Sequence, residues 1–406
     1  MKKYTFIDLF AGCGGLSEGF LSSGKYRALA HIEWDPSISN ILKENLITRW
    51  GHDRKTINNH VITFDLQKTD ELLNGKWSKD SIDKYGKFNN EKVINDGLIK
   101  ILKNKKVDII IGGPPCQAYS IAGRAQDKNS MENDYRNYLF ESYIEIIKHF
   151  KPKLFLLENV QGMLSAKPGN ELVTTRIYKA FKKAGYNIYE DKKMKETLLN
   201  SSDFGVPQDR KRVILIGSRL KRIKLSSIYE DIKNTYASKK MTVKDAIGNY
   251  TSIIPKRGRP SKRISHQLTR KTYLKNHFPR YHNSRDIKIF KMWLIRNMNS
   301  KPYNKKIEFY KKYVGKDTNH NKYRNLEWNK PSKTIVAHLY RDGLLFIHPD
   351  PKQARTITTR EAATLQSFDK NFILSGIMGT DFKAIGNAVP PLMAKKISEV
   401  LYNHLK

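Results

Sequence analysis

Cysteine is nearly absent from the chain: Cys13 and Cys116 are the only two in 406 residues. Two thiols cannot staple a chain of this length, so a disulfide scaffold is excluded and a reducing cytoplasm is the expected compartment. Long apolar runs are missing as well. No stretch approaches the ~18 uninterrupted apolar residues of a membrane span, so no membrane partner is expected. The opening MKKYTFIDLFAGCGG begins like a signal peptide, but Asp8 and the glycines that follow break its apolar run. Acid is the third shortage, with 39 Asp and Glu against 75 Lys and Arg and a net charge of +36. Such a surplus points to a polyanionic partner, nucleic acid ahead of acidic membrane.

What is present narrows this further. Hydrophobic residues make up 39% and aromatics 11%, enough for a core, which excludes a wholly disordered basic tail. The length suggests two or three domains, or one large domain with an insertion. Charge is unevenly spread. Residues 219–333 hold 31 basic and 7 acidic side chains, +24 in 115 residues, while the other 291 residues contribute only +12. Within 251–300, Asp286 is the sole acid among 13 basic residues. One segment is therefore expected to meet the polyanion.

The first two-thirds reads as alternating strands and helices. Strands are expected at 4–10, 26–32, 61–64, 107–111, 154–157 and 213–216, with helices at 16–23, 135–150 and 172–183. Strands separated by helices argue for an α/β fold with a parallel sheet covered on both faces. Residues 67–105 are polar and weakly periodic, and read as an insertion between two strands. From 219 to about 330 the pattern changes to a Lys-, Arg-, Asn- and Tyr-rich stretch without clear period, punctuated by prolines. It reads as a second domain of mostly irregular or short-strand structure. Helical patterns return near 354–401.

The turn Phe10-Ala11-Gly12-Cys13-Gly14-Gly15 follows a strand and precedes a helix. Its glycines let a ligand approach the backbone, and the helix start offers N–H groups. The spacing departs from the dinucleotide fingerprint, and no Walker lysine motif is present. A carboxylate-bearing nucleoside such as S-adenosylmethionine fits as well or better. Glu33, at the end of the second strand, is placed to accept from ribose hydroxyls. Trp34 is placed to pack on an adenine, and Asp65 to accept from its amino group. Taken alone, the turn fits an ordinary tight turn equally; the three strand ends together favour a nucleoside cofactor.

Pro114-Pro115-Cys116-Gln117 lies just past the strand VDIII, where an open parallel sheet places its active site. A lone cysteine is usually a small buried hydrophobe. Here two glycines and two prolines fix the backbone beside it, and polar Gln117 and Ser120 follow, which favours a reactive thiol. Cys13 is read as a small turn residue. Glu158, directly after LFLL, becomes a candidate proton donor beside Cys116. Arg210 and Arg212 alternate into the strand VILI, pointing to one face from which both could reach the cleft; the plainer alternative is a basic strand edge.

These residues, in this order, resemble the cytosine-5 DNA methyltransferase family of bacterial restriction–modification type. The matching segments are FIDLFAGCGG (6–15), GGPPCQAYS (112–120), ENV (158–160), QDRKR (208–212), RTITTREAATLQSF (355–368) and GNAVPP (386–391). They span nearly the whole chain. The resemblance implies a Rossmann-like S-adenosylmethionine-dependent sheet domain with a smaller target-recognition domain. Its expected divisions are a catalytic domain over 1–220, a recognition domain over 221–375, and a helix over 376–406 that returns to the catalytic domain.

The resemblance also implies roles. Cytosine carbon 5 is a poor nucleophile until a thiolate adds at carbon 6, which makes Cys116 the nucleophile. Glu158 would protonate ring nitrogen 3, and Arg212 would hold the base's carbonyl oxygen with Arg210 in support. The target base must be flipped out of the duplex, and the loop carrying Gln117, Ser120 and Arg124 would close over it. Phe10, Gly12, Gly14, Glu33, Trp34, Asp65, Pro115 and Asn387 would contact S-adenosylmethionine, with no metal required. The implied partners are double-stranded DNA and a cognate restriction endonuclease, whose cleavage the methylation would block; a monomer is expected.

In the basic block, Lys and Arg would position the duplex while a few polar side chains read base edges. Residues 255–262 (PKRGRPSK) resemble an AT-hook, in which Arg257 and Arg259 would enter an A·T minor groove. The plainer reading is a basic loop that touches phosphates, and it is preferred. Tyr273, Phe278, Tyr281, Trp293, Tyr310 and Tyr313 are read as the small domain's core rather than as base-stacking platforms. Two alternatives stand beside DNA methylation: the same chemistry on RNA, which the basic block weighs against, and a non-catalytic DNA-binding protein.

Overall fold

Short, mostly apolar runs become the strands of a mostly parallel sheet: β1 (Tyr4–Leu9), β2 (Tyr26–Glu33), β3 (Val61–Thr63), β4 (Ile109–Gly112), β5 (Leu154–Val160), β6 (Leu198–Asn200) and β8 (Lys211–Ser218), while the two-residue β7 (Gln208–Asp209) lies outside it. The computed structural model describes residues 2–103, 105–115, 139–168, 171–256, 264–315, 322–341 and 343–406. The chain divides into two compact units. The larger comprises Met1–Gly205, Lys211–Ser238 and Ala388–Lys406, and the smaller Val206–Arg210 and Lys239–Asn387.

The larger unit holds a seven-stranded sheet in the order β3-β2-β1-β4-β5-β8-β6. The first five strands run parallel, whereas β8 is antiparallel to both β5 and β6. The expected parallel sheet is therefore interrupted by β8, which runs against the other six strands because no crossover helix separates it from β6. The order reverses between β1 and β4, which is the switch point where open α/β sheets place their ligands. Both faces are covered, and Ile7, Leu9, Ile110, Phe155 and Leu215 of the strands are wholly withdrawn from solvent.

Residues 67–105 lie between β3 and β4 as expected, but they are largely helical: Thr69–Asn74, Lys79–Tyr85 and Glu91–Leu102. Leu72, Trp77, Tyr85, Val93, Leu98 and Leu102 join the main core. A left-handed backbone at Gly97 (φ 67°) interrupts the last helix, which is why no clean helical period shows in the sequence. The C-terminal helix Pro391–Leu405 returns to the larger unit. It is pinned by the Tyr4 hydroxyl on the Leu405 carbonyl (2.6 Å) and the Tyr26 hydroxyl on that of Ser398 (2.7 Å).

The smaller unit is more regular than its sequence suggests. It holds two 12-residue helices, Ser284–Ile295 and Tyr303–Val314, and an antiparallel pair of strands, β9 (Ile253–Pro255) and β10 (His266–Leu268). β7 pairs with β11 (Ser332–Lys333). The expectation of irregular structure fails because lysines crowd the outer faces of these helices and mask the apolar stripe. The stripe itself is there: Ile289, Phe290, Trp293, Phe309 and Tyr310 form the unit's core. Of the six aromatics read as core, Trp293 and Tyr310 are buried and Tyr313 packs against them. Tyr273, Phe278 and Tyr281 are exposed instead.

Candidate active site

The carboxyl ends of the parallel strands carry the candidate cofactor residues. β1 ends in a turn where Phe10 (φ 57°), Gly12 (φ 57°) and Gly14 (φ 92°) all adopt left-handed backbone. For Phe10 this conformation is costly, and such strain tends to gather at ligand sites. Gly14 is the N-cap of the helix Gly15–Ser22. Glu33, at the end of β2 and almost wholly buried, holds the turn: its Oε2 accepts from the Gly12 N–H at 2.8 Å, and its Oε1 from the Asp35 N–H at 2.9 Å. Trp34 follows with 48% of its surface exposed, the largest side chain left uncovered in this neighbourhood. Asp65, half-buried, lies two residues beyond β3, and its Oδ1 accepts from the Gln67 N–H at 3.0 Å.

Asp8 is a further residue at this end of the sheet, one that the motif pattern alone does not single out. It sits inside the apolar strand β1, fully buried, and accepts from the Ser17 hydroxyl at 2.6 Å. It thus braces the helix behind the glycine turn. Burial pushes its carboxyl up to about 7; the Ser17 hydrogen bond opposes the rise and the nearby Glu33 charge adds to it. A lone acid between Ile7 and Leu9 in an otherwise apolar strand was the available signal. Asp35 is another such residue: with Pro36 after it, it caps the helix Pro36–Trp50 through Ser37 and Ile38.

A second cluster forms where β4 and β5 end side by side. Glu158, buried, pairs with Arg212 of β8, whose Nε stands 2.8 Å from Oε1. The other carboxylate oxygen lies against Gly113, where a β-carbon would meet Oε2 at 2.7 Å. A side chain there would push the Glu158 carboxylate aside. The Asn159 amide reaches the Pro114 carbonyl at 3.5 Å, so the Gly113-Pro114-Pro115 turn and the ENV segment are in direct contact. Pro115 is half-buried at the edge of the described residues.

The structure therefore brings Gly12, Gly14, Glu33, Asp65, Pro115, Glu158 and Arg212 to the carboxyl-end edge of one sheet. Arg210 belongs to the smaller unit. It is fully buried, and its guanidinium donates to the carbonyls of Ile335 (2.9 Å) and Gly386 (2.8 Å). Asn387, also in the smaller unit, is exposed at the end of the helix Met378–Asn387. Cys116, Gln117, Ser120, Arg124, Arg257 and Arg259 lie outside the described residues. Among the described residues, no group of three or more His, Cys, Asp or Glu is arranged to hold a metal ion, and no helix is long and apolar enough to cross a membrane.

Comparison with known proteins gives a consistent result. The family model described as C-5 cytosine-specific DNA methylase matches residues 4–76 and 57–403. A type II methyltransferase of Bacillus paralicheniformis, M.Bpa9945I, is 31% identical, covering 98% of this chain and 99% of its own. M.DdeI of Desulfomicrobium norvegicum, another type II methyltransferase, is 30% identical over 97% of this chain and 88% of its own. Among solved structures, a putative DNA modification methyltransferase from an Escherichia coli prophage superposes with a TM-score of 0.59 at 24% identity, covering 99% of both chains. The Entamoeba histolytica methyltransferase EhMeth gives 0.56 at 15% identity over the full length of both; these two likenesses speak to the fold.

Proposed function

Because the chain belongs to the C-5 cytosine-specific DNA methylase family, we propose that it methylates carbon 5 of a flipped-out cytosine within a specific double-stranded DNA sequence. The observation that carries this reading is the Glu158–Arg212 pair seated against Gly113, three residues before Cys116, on the sheet edge that also bears Glu33 and Asp65.

The strand ends suit S-adenosylmethionine. Glu33 and Asp65 offer carboxylates to ribose hydroxyls and to the adenine amine, Trp34 leaves its indole uncovered for the base, and the turn through Gly12 and Gly14 keeps side chains out of the way. When bound, that cofactor supplies an electrophilic methyl group. The protein's own part is to make carbon 5 nucleophilic. The Cys116 thiolate adds to carbon 6 of the cytosine, and the ring electrons move toward nitrogen 3 as the C5–C6 double bond is consumed. Glu158 takes up a proton from solvent and passes it to nitrogen 3, so that the ring becomes a neutral enamine. Arg212 keeps the Glu158 carboxyl in one orientation and presents its remaining N–H groups to the base's carbonyl oxygen. Once carbon 5 is substituted, loss of its proton to water reforms the double bond and expels the Cys116 thiolate, and nitrogen 3 returns its proton to the Glu158 carboxylate.

The basic smaller unit is assigned to target recognition, its Lys and Arg meeting phosphates. By the same reading, methylation shields the host's DNA from a cognate restriction endonuclease. The test is direct: DNA from a host expressing the chain is sequenced after bisulfite conversion. Unconverted cytosines confined to one recurring sequence support the reading, and full conversion at every cytosine overturns it.

A further inference from the structure

We propose that Asn89, in the helical segment between β3 and β4, is a positioning residue for the adenosine end of the cofactor site, acting through β3 on Asp65 and Glu33. The inference rests on reading those strand ends as an S-adenosylmethionine site.

β3 is three residues long and is the outermost strand of the seven-stranded sheet. An edge strand that short has few ladder bonds to hold its register, and its outward N–H and C=O groups need partners. For Thr63, the last residue of β3, a single side chain supplies both. The Asn89 Oδ1 accepts from the Thr63 N–H at 3.0 Å, and its Nδ2 donates to the Thr63 carbonyl at 2.9 Å. The same Nδ2 donates to the Tyr85 carbonyl at 2.9 Å. A primary amide reproduces both halves of a peptide unit, so Asn89 stands in for one residue of a further strand.

Thr63 is the register partner of Glu33, and the next N–H, that of Phe64, donates to the Glu33 carbonyl at 3.1 Å. Glu33 in turn holds Gly12. A continuous run of contacts therefore links Asn89 through Thr63 to Glu33 and the glycine turn. On the far side, Phe64 is fully buried between Trp77 (ring centroids 4.1 Å) and Tyr85 (5.4 Å). Both rings come from the same inserted segment, and the next residue is Asp65. The segment is also tied to the helix Pro36–Trp50, where Lys43 Nζ donates to the Phe88 carbonyl at 3.0 Å. The inserted helices thus fix the strand end that presents Asp65.

The test is a double-mutant cycle on the full chain, read by calorimetric titration with S-adenosylhomocysteine. Asn89→Ala is expected to weaken binding about tenfold, the loss of roughly one well-placed hydrogen bond. In an Asp65→Ala background the same change is expected to cost clearly less, about threefold, because one of the two groups it positions is gone while Glu33 remains. Asn89→Asp keeps the shape but sets an acceptor against two carbonyls, and is expected to lose as much as Asn89→Ala. At saturating S-adenosylmethionine, kcat stays within twofold for Asn89→Ala. If that variant is too unstable to titrate, Asn89→Ser carries the same cycle. An equal loss in both backgrounds, or wild-type affinity in Asn89→Ala, overturns the proposal. Failure of the unmutated chain to bind S-adenosylhomocysteine overturns the cofactor reading itself.

Discussion

Arg212 and Glu158 meet diagonally across the antiparallel strands β5 and β8. Arg212 lies opposite Val160, two residues from Glu158 and on the same face, and its Nε is 2.8 Å from Oε1. Both side chains are close to nine-tenths withdrawn from solvent. A carboxylate so placed depends on its partner, since a buried charge left alone costs several kcal/mol. Pairing through Nε leaves the far edge of the guanidinium available, although Nη1 also donates to the Lys211 carbonyl at 2.7 Å.

Arg212→Ala is therefore expected to lower kcat by about 10²- to 10³-fold, the range for losing one donor to a developing charge. Arg212→Lys restores charge without the fork and is expected to recover little. Single-turnover methylation of a duplex containing the target checks this; activity within threefold of wild type in Arg212→Ala would contradict it.

Gly113→Ala tests the other side of the same carboxylate. Its β-carbon would fall 2.7 Å from Glu158 Oε2, so the carboxyl must shift. A displacement approaching 1 Å at a reacting group costs on the order of 10²-fold. The expected outcome is a fall in kcat of about that size with little change in affinity for S-adenosylhomocysteine, measured by calorimetry alongside single-turnover rates.

Arg210 is expected to act on stability. Its guanidinium holds two backbone carbonyls inside the smaller unit, and Arg210→Ala strands both. The loss is expected to be about 3 kcal/mol or more, read as a lowered denaturation midpoint, with faster hydrogen exchange around residues 335–337.

Acid is expected to destabilise the protein. Burial pushes the imidazoles of His31, His282 and His348 down to about 3 and that of His266 to about 4. Between those values and 6.5 the unfolded chain binds protons that the native chain refuses, so stability falls as pH falls, by about 1.4 kcal/mol per pH unit for each group. Asp8 works in the opposite sense. Its raised carboxyl favours the native state more as pH falls from about 7 toward 3.8, and it offsets about one histidine. Thermal melts at pH 7.5 and pH 5 should show a clear drop at the lower pH; an equal or higher melting temperature at pH 5 would contradict the assignment.

Much of this was legible in the sequence, and for physical reasons. β1, β2 and β4 are dense apolar runs closed by glycine or acid, and in an open parallel sheet the residues after such runs become the site; Gly12, Glu33, Asp65 and Glu158 follow from that rule. The helices of the inserted segment were hidden because Gly97 breaks one of them and lysines and acids fill their outer faces. The helices at 284–295 and 303–314 were hidden by the same crowding of basic residues around Phe290, Trp293 and Tyr310. Arg210 and Arg212, two apart, suggested one face, but strand alternation cannot foresee that the chain changes units between them. Asn89 gave no local signal, because its partner Thr63 is 26 residues away.

The central claim is that a Cys116 thiolate attacks cytosine carbon 6. It is tested most directly with a duplex carrying 5-fluorocytosine at the target, incubated with the full chain and S-adenosylmethionine and resolved under denaturing conditions. Fluorine at carbon 5 cannot leave as a proton does, so the adduct should accumulate as a covalent protein–DNA band that Cys116→Ser abolishes. Methylation of ordinary target DNA without a covalent band on the fluorinated duplex, or a band that persists in Cys116→Ser, would contradict the account.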